Sequence, residues 1–133
     1  MFYSKSYLIT IIVFFAIDIV WLEFLAKDLY QEQLGFLLKD NFNAVAAFAF
    51  YLFFIAGMLF FVINRAVELS SWQYALFVGA FFGFITYSTY DMTNLATVKD
   101  WPVLITVIDI VWGSFLCGIT SLVSYLLINY FKI

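Results

Sequence analysis

Apolar residues dominate four stretches of the chain, at about 7–26, 44–63, 73–90 and 103–128, and the segments between them hold most of the charge. Each stretch is near the ~20 residues that an α-helix needs to cross ~30 Å of hydrocarbon. The pattern predicts an all-α fold, a four-transmembrane-helix bundle forming one integral membrane domain over residues 1–133, with both termini on one side. Between the first and second stretches, Lys27 to Asn43 mixes Tyr30, Leu34, Phe36, Leu37 and Leu38 with Glu32, Lys39 and Asp40. That mixture suits a short amphipathic helix lying in the membrane interface, an ordinary polar loop being the alternative. Asn64 to Ser71 reads as a tight hairpin. Asp91 to Trp101 reads as a connection dense in hydrogen-bonding side chains, with Trp101 in the interfacial belt and Pro102 in the first turn of the fourth helix.

Two acids interrupt the apolar pattern. The letters IDIVW occur as Ile17–Trp21 and again as Ile108–Trp112, so Asp18 and Asp109 both lie at hydrocarbon depth. A carboxylate there costs about 2.5–3.5 kcal/mol on insertion scales, which makes each a functional candidate. The first and fourth stretches run in opposite directions, so the two copies are presented antiparallel, as matched helices are in inverted repeats. Asp18 lies about eight residues before its span ends and Asp109 about seven after its span begins, which puts both carboxyls roughly 11–12 Å below the same face. In each copy the Trp follows the Asp by three residues on the same helical face, where its indole N–H can reach the partner carboxylate. Phe24 and Phe115 extend the match, but Leu22 and Glu23 correspond to Gly113 and Ser114, and duplication and coincidence both remain open readings.

Composition sharpens the membrane assignment and removes much chemistry. Of 133 residues, 66% are hydrophobic, 23% aromatic and only 11% charged, far outside the range of a soluble domain. The net charge of −3 comes with no basic run, which argues against nucleic acid as a partner. The chain has no His, so His-ligated haem, ordinary zinc sites and Ser/His or Cys/His nucleophiles are excluded. No cofactor and no metal is implied. The single Cys117 reads as a small apolar packing residue. Lys5 followed by Tyr7 to Trp21 imitates a signal peptide, but Asp18 breaks the apolar run and no small-x-small site follows, so an uncleaved first span is expected. Basic residues are evenly divided between the two sides, and the clustering of acids on the loop side tilts the termini towards the cytoplasm.

Small and polar residues mark the protein-facing sides of two helices. Thr106, Asp109, Gly113, Cys117, Thr120 and Ser124 recur at spacings of three and four on the fourth stretch. On the third, Ala75, Gly79, Gly83, Thr86 and Tyr90 do the same, with a Gly79-x-x-x-Gly83 core that allows close backbone approach. Such stripes are usually packing surfaces, within one chain or between two, and a homodimer through the third helix is one expectation. Two Asp residues close together and poorly solvated would not both ionise, so the pair would hold a proton or recruit a cation. Tyr90, Asp91, Thr93 and Asn94 would add oxygen donors suited to a hard cation or a polar head group. The plainer reading makes each Asp a protonated residue that fixes helix register.

The run Thr89-Tyr90-Asp91-Met92-Thr93-Asn94-Leu95-Ala96-Thr97, then Trp101-Pro102 and Asp109-Ile110-Val111-Trp112-Gly113, together with Asp18 to Trp21, resembles the bacterial membrane family called domain of unknown function 2177. The resemblance covers the whole chain. It implies a small four-span protein of the bacterial inner membrane and marks Asp18, Trp21, Tyr90, Asp91, Thr93, Asn94, Thr97, Trp101, Asp109 and Trp112 as matching positions without giving any a role. The reading from the residues is a protein that binds or transports a cation, a proton-coupled solute or a membrane lipid at Asp18, Trp21, Tyr90, Asp91, Thr93, Asn94, Asp109 and Trp112. One alternative is a membrane enzyme acting on lipid, with Asp91 or Asp109 as general acid or base and Tyr90 as proton donor. Another is a structural partner of a second membrane protein, docked through the small-residue stripe.

Overall fold

The computed structural model of the chain describes residues 2–25, 27–36 and 43–131, and these are helical in all but the connections. Helix α1 (Phe2–Val20) runs into a wider π-type turn at Trp21–Leu25, followed by the short α2 (Lys27–Leu34). Helix α3 (Ala44–Met58) continues through a second π-type turn, Leu59–Ile63, into α4 (Asn64–Leu69) as one rod, and α5 (Trp72–Thr97) and α6 (Val103–Phe131) follow. The starts obey capping chemistry: the Asn43 side chain accepts from the Ala46 N–H at 3.0 Å, and the Ser71 hydroxyl accepts from the Tyr74 N–H at 3.0 Å. Between α4 and α5 the chain reverses at Ser70, whose left-handed φ of 50° ends the helix.

Among the described residues, three helices are long and apolar enough to cross a membrane: Ser4–Phe24, Ala44–Leu69 and Val103–Phe131. The third expected span is the exception. Helix α5 has 26 residues, but Thr86, Ser88, Thr89, Tyr90, Asp91, Thr93 and Asn94 dilute the apolar character of its second half. Two expected boundaries also move. Asn64 to Leu69 is helix rather than hairpin, which leaves Ser70 and Ser71 as the turn. Asp91 to Thr97 is helix rather than loop, because the Thr93 and Thr97 hydroxyls donate to carbonyls one turn back and need no partner outside the helix. The amphipathic helix after α1 is present as α2, and the rest of its expected range, with Leu37, Leu38, Lys39 and Asp40, lies outside the described residues.

The core sits where α1, the α3–α4 rod and α6 meet, around Phe14, Ile55, Met58, Ile63, Leu116 and Ile128, with Cys117 buried among them. Helices α5 and α6 form the tightest pair. A Cβ added at Gly79 would come within 2.7 Å of the Ser121 hydroxyl and 2.9 Å of the Cys117 carbonyl, so only glycine allows this approach. Ala75, Gly79 and Gly83 are buried on α5, as is Gly113 on α6. The small-residue stripe of α5 is thus filled by the chain's own α6. Large apolar side chains such as Ile12, Phe53, Phe77 and Val111 point outward, an arrangement that only hydrocarbon makes favourable.

Candidate functional site

The two copies of IDIVW come together near the end of α1, and α2 folds back over them. Asp18, buried on the last turn of α1, accepts from the Trp112 indole N–H at 3.3 Å. The other copy is joined indirectly. The Trp21 indole N–H donates to the Tyr30 hydroxyl at 3.4 Å, and that hydroxyl donates its single hydrogen to Asp109 Oδ1. Trp21 and Trp112 stack with ring centroids 4.4 Å apart and planes 10° from parallel. The break in symmetry has a local cause: the π-type turn begins at Trp21, whereas α6 continues as regular helix through Trp112. One indole therefore reaches the opposite carboxylate directly and the other reaches it through Tyr30.

Asp91 enters from α5 and is the most deeply enclosed acid, 1% exposed. Neither of its carboxyl oxygens meets an N–H or O–H donor. The group it faces is Asp109, and two carboxylates have no hydrogen to share unless one is protonated. A proton between them converts mutual repulsion into a hydrogen bond. Among the described residues no side-chain cation does this instead. Among the described residues the ion pair is Arg65–Glu68, at the opposite end of the molecule. No group of three or more Cys, Asp or Glu side chains among the described residues converges as a metal-ligand set.

Tyr30 was not a candidate from sequence, although it lies on the segment recognised as amphipathic. Its apolar ring and polar tip suit the rim of a membrane site, but its partner depends on which way α2 folds. That direction is fixed by Leu34, which packs with Trp101 and Ile105 in a small cluster that also takes in Leu29, Leu95 and Val98. Trp101 is correspondingly buried beneath α2, its indole N–H donating to the Thr106 hydroxyl at 3.0 Å. Burial and the facing Asp109 carboxyl push the Tyr30 phenol well above its ordinary range, so it remains a donor at every pH at which the protein is handled. Tyr30→Phe removes two hydrogen bonds and leaves Asp109 without its donor. Amide exchange in residues 27–34 should quicken by roughly tenfold, the equivalent of one charged hydrogen bond, with α5 and α6 unchanged; hydrogen-exchange mass spectrometry reads this directly.

The other sequence candidates lie around this centre rather than in it. Tyr90 is 55% exposed and meets Trp101 edge-on at 5.8 Å. Thr93 and Thr97 are exposed, with hydroxyls returned to their own helix, and Asn94 is half-buried. The structure thus gathers Asp18, Trp21, Asp91, Asp109 and Trp112 with Tyr30, and leaves Tyr90 and Thr93 at the surface.

A family model described as "Predicted membrane protein (DUF2177)" matches residues 3–126. No curated protein and no solved structure matches the chain.

Proposed function

The chain belongs to the DUF2177 family of predicted membrane proteins, and from that premise we propose that it crosses the membrane four times and binds a small cation, or the cationic head of an amphiphile, at the Asp91–Asp109 pair. Support for the fourth crossing is the close antiparallel packing of α5 along α6, a helix long and apolar enough to span. A helix held that tightly to a spanning one, with Phe77, Phe81 and Phe84 facing outward, occupies the same slab.

The single observation that carries the binding proposal is the Asp91 carboxyl, sealed from solvent with no donor on either oxygen. An unpaired buried charge is costly, and in a low-dielectric bundle it must be neutralised by something mobile if not by the protein. With one shared proton the pair keeps one negative charge. An incoming cation displaces that proton and takes its place between the oxygens, so binding and proton release are linked. Two carboxyls and a phenol suit a monovalent ion or an alkylammonium group better than a divalent metal, which demands more oxygen ligands. Tyr30 lies on the loop-side approach to the pair and has to swing aside for entry, while Asp18 is held to one side by Trp112.

Purified protein in neutral detergent tests this with sodium, potassium and dodecylammonium as probes. One of them should raise the thermal midpoint and release about one proton per chain, seen with an indicator dye in weak buffer. The effect should weaken as the pH falls, because proton and cation compete for the same oxygens. Asp109→Asn should fold and lose both responses. Absence of any response to all three probes between pH 6 and 9 would refute the proposal.

A further inference from the structure

Charge is divided unequally between the ends of the molecule. Among the described residues, Lys5 and Arg65 lie towards the terminal end with Glu68, while Asp18, Glu23, Asp28, Glu32, Asp91, Asp100 and Asp109 lie at or towards the loop end. At the terminal end a groove of about 710 Å³ opens between the first turns of α1 and the α3–α4 rod, within the size range of small-molecule sites. It is distinct from the acidic site: Ser4 and Asp18 are separated by fourteen residues of α1, roughly 21 Å along its axis.

The walls of the groove are graded in polarity. Arg65, Glu68, Asn64 and Ser4 line one end, and Phe60, Leu59 and Ala56 lead away from it towards the middle of the rod. From Glu68 to Ala56 the wall runs roughly 18 Å, polar at the helix end and apolar towards the bilayer centre, which is the profile of a phospholipid. One polar group of the lining lacks a partner: the Asn64 side-chain carbonyl oxygen is buried with no donor. Arg65 spends one N–H on Glu68, at 3.0 Å, which leaves most of its donors free. An orphan acceptor asks for a ligand that brings a hydrogen, and a guanidinium asks for one that brings an anion.

We propose that this groove is a binding site for an anionic phospholipid with a hydroxylated head group, its phosphate on Arg65, a head-group hydroxyl donating to Asn64, and one acyl chain lying along Phe60, Leu59 and Ala56. Arginine matches phosphate in geometry as well as charge. The local excess of positive charge favours such a lipid over a zwitterionic one. The proposal is independent of the cation site, since the two lie at opposite ends and attract opposite charge.

The test is native mass spectrometry and thermal unfolding of the full chain in detergent, with phosphatidylglycerol, phosphatidylethanolamine or phosphatidylcholine added at equal mole fraction. Phosphatidylglycerol should be retained at one copy and should raise the midpoint more than either of the others, and inorganic phosphate should do nothing. Arg65→Gln, at an exposed position that tolerates it, should weaken retention of phosphatidylglycerol by roughly tenfold, the value of one charge-assisted contact. Ala56→Phe, which fills the apolar end from an exposed position, should weaken retention of all three lipids. Lys99→Gln at the loop end should change nothing. Equal retention of the three lipids by the wild type would overturn the proposal, as would undiminished preference for phosphatidylglycerol in Arg65→Gln. Stabilisation by phosphate alone would overturn the lipid as its source.

Discussion

Gly83→Ala is expected to separate α5 from α6 and to lower the thermal midpoint by roughly 10 °C, about 3 kcal/mol, the upper part of the range for overpacking a close contact. The added Cβ would fall 2.1 Å from the Gly113 carbonyl oxygen and 2.9 Å from the Cys117 Cβ. The first of these is backbone, so no rotamer change relieves it and the helices themselves must move apart. Gly113→Ala should behave alike, since its Cβ would lie 2.2 Å from the Tyr87 ring, and that ring is wedged against the same core. Gly57 supplies the contrast. A Cβ there meets only the tip of Phe82, at 3.7 Å, so Gly57→Ala should hold or raise stability by up to about 1 kcal/mol through helix propensity. Size-exclusion profiles after heating in detergent separate these outcomes. A Gly83→Ala protein as stable as Gly57→Ala would mean that the α5–α6 approach is looser than described.

The same close contact explains how much of the fold could be read from the sequence. Hydropathy located α1, the α3–α4 rod and α6 because lipid-facing side chains such as Phe53 and Phe61 have no alternative to being apolar. The Gly79-x-x-x-Gly83 spacing identified a packing face but not its occupant, since a second copy and α6 would leave the same small residues behind. Hydropathy misjudged where α4 and α5 end, for a physical reason: it reports depth, not backbone conformation. Thr93 and Thr97 satisfy their hydroxyls within the helix, so α5 continues past the point at which the sequence turns polar. The π-type turns at Trp21–Leu25 and Leu59–Ile63 left no pattern that a periodicity argument could detect.

Within the candidate site, counting residues along antiparallel helices brings Trp112 to Asp18 and Trp21 onto Trp112, but the expected partner of Asp109 was Asp18, whereas the groups beside it are Tyr30 and Asp91. Asp91 was grouped with the exposed polar string around it, yet one turn of helix is enough to put Asp91 inside and Thr93 outside. Tyr30 was illegible as a partner of Asp109. Seventy-nine residues separate the two, and their meeting depends on α2 being clamped by Trp101, itself a consequence of the α5–α6 corner. The site is therefore assembled by tertiary folding from three pieces, of which only the repeated one announces itself in sequence.

Asp91→Leu should make the protein more stable while removing its response to cations. The carboxyl is enclosed with no N–H or O–H donor from another side chain, and its neighbour is another acid, so the folded state carries the desolvation cost of two carboxyls that share one proton and keep one negative charge. Replacing such a group by an apolar one is worth about 1–3 kcal/mol when the shape is tolerated. Asp91→Asn keeps the shape and offers an N–H to Asp109. It should lie between wild type and Leu in stability, and by filling the pair with a permanent hydrogen bond it should also abolish cation-linked proton release. The pair of variants separates function from architecture. If Asp91 serves only to fix helix register, Asp91→Leu should lower the thermal midpoint, because the interhelical hydrogen bond it provides would be lost. If Asp91 is kept for a ligand, stability and binding should move in opposite directions, as they do where a strained or unsatisfied site is maintained for its chemistry. Thermal midpoints of the three proteins, each measured with and without the stabilising cation, give the sign of both changes in one experiment. A destabilised Asp91→Leu protein that still binds the cation would remove the acidic pair from the account altogether.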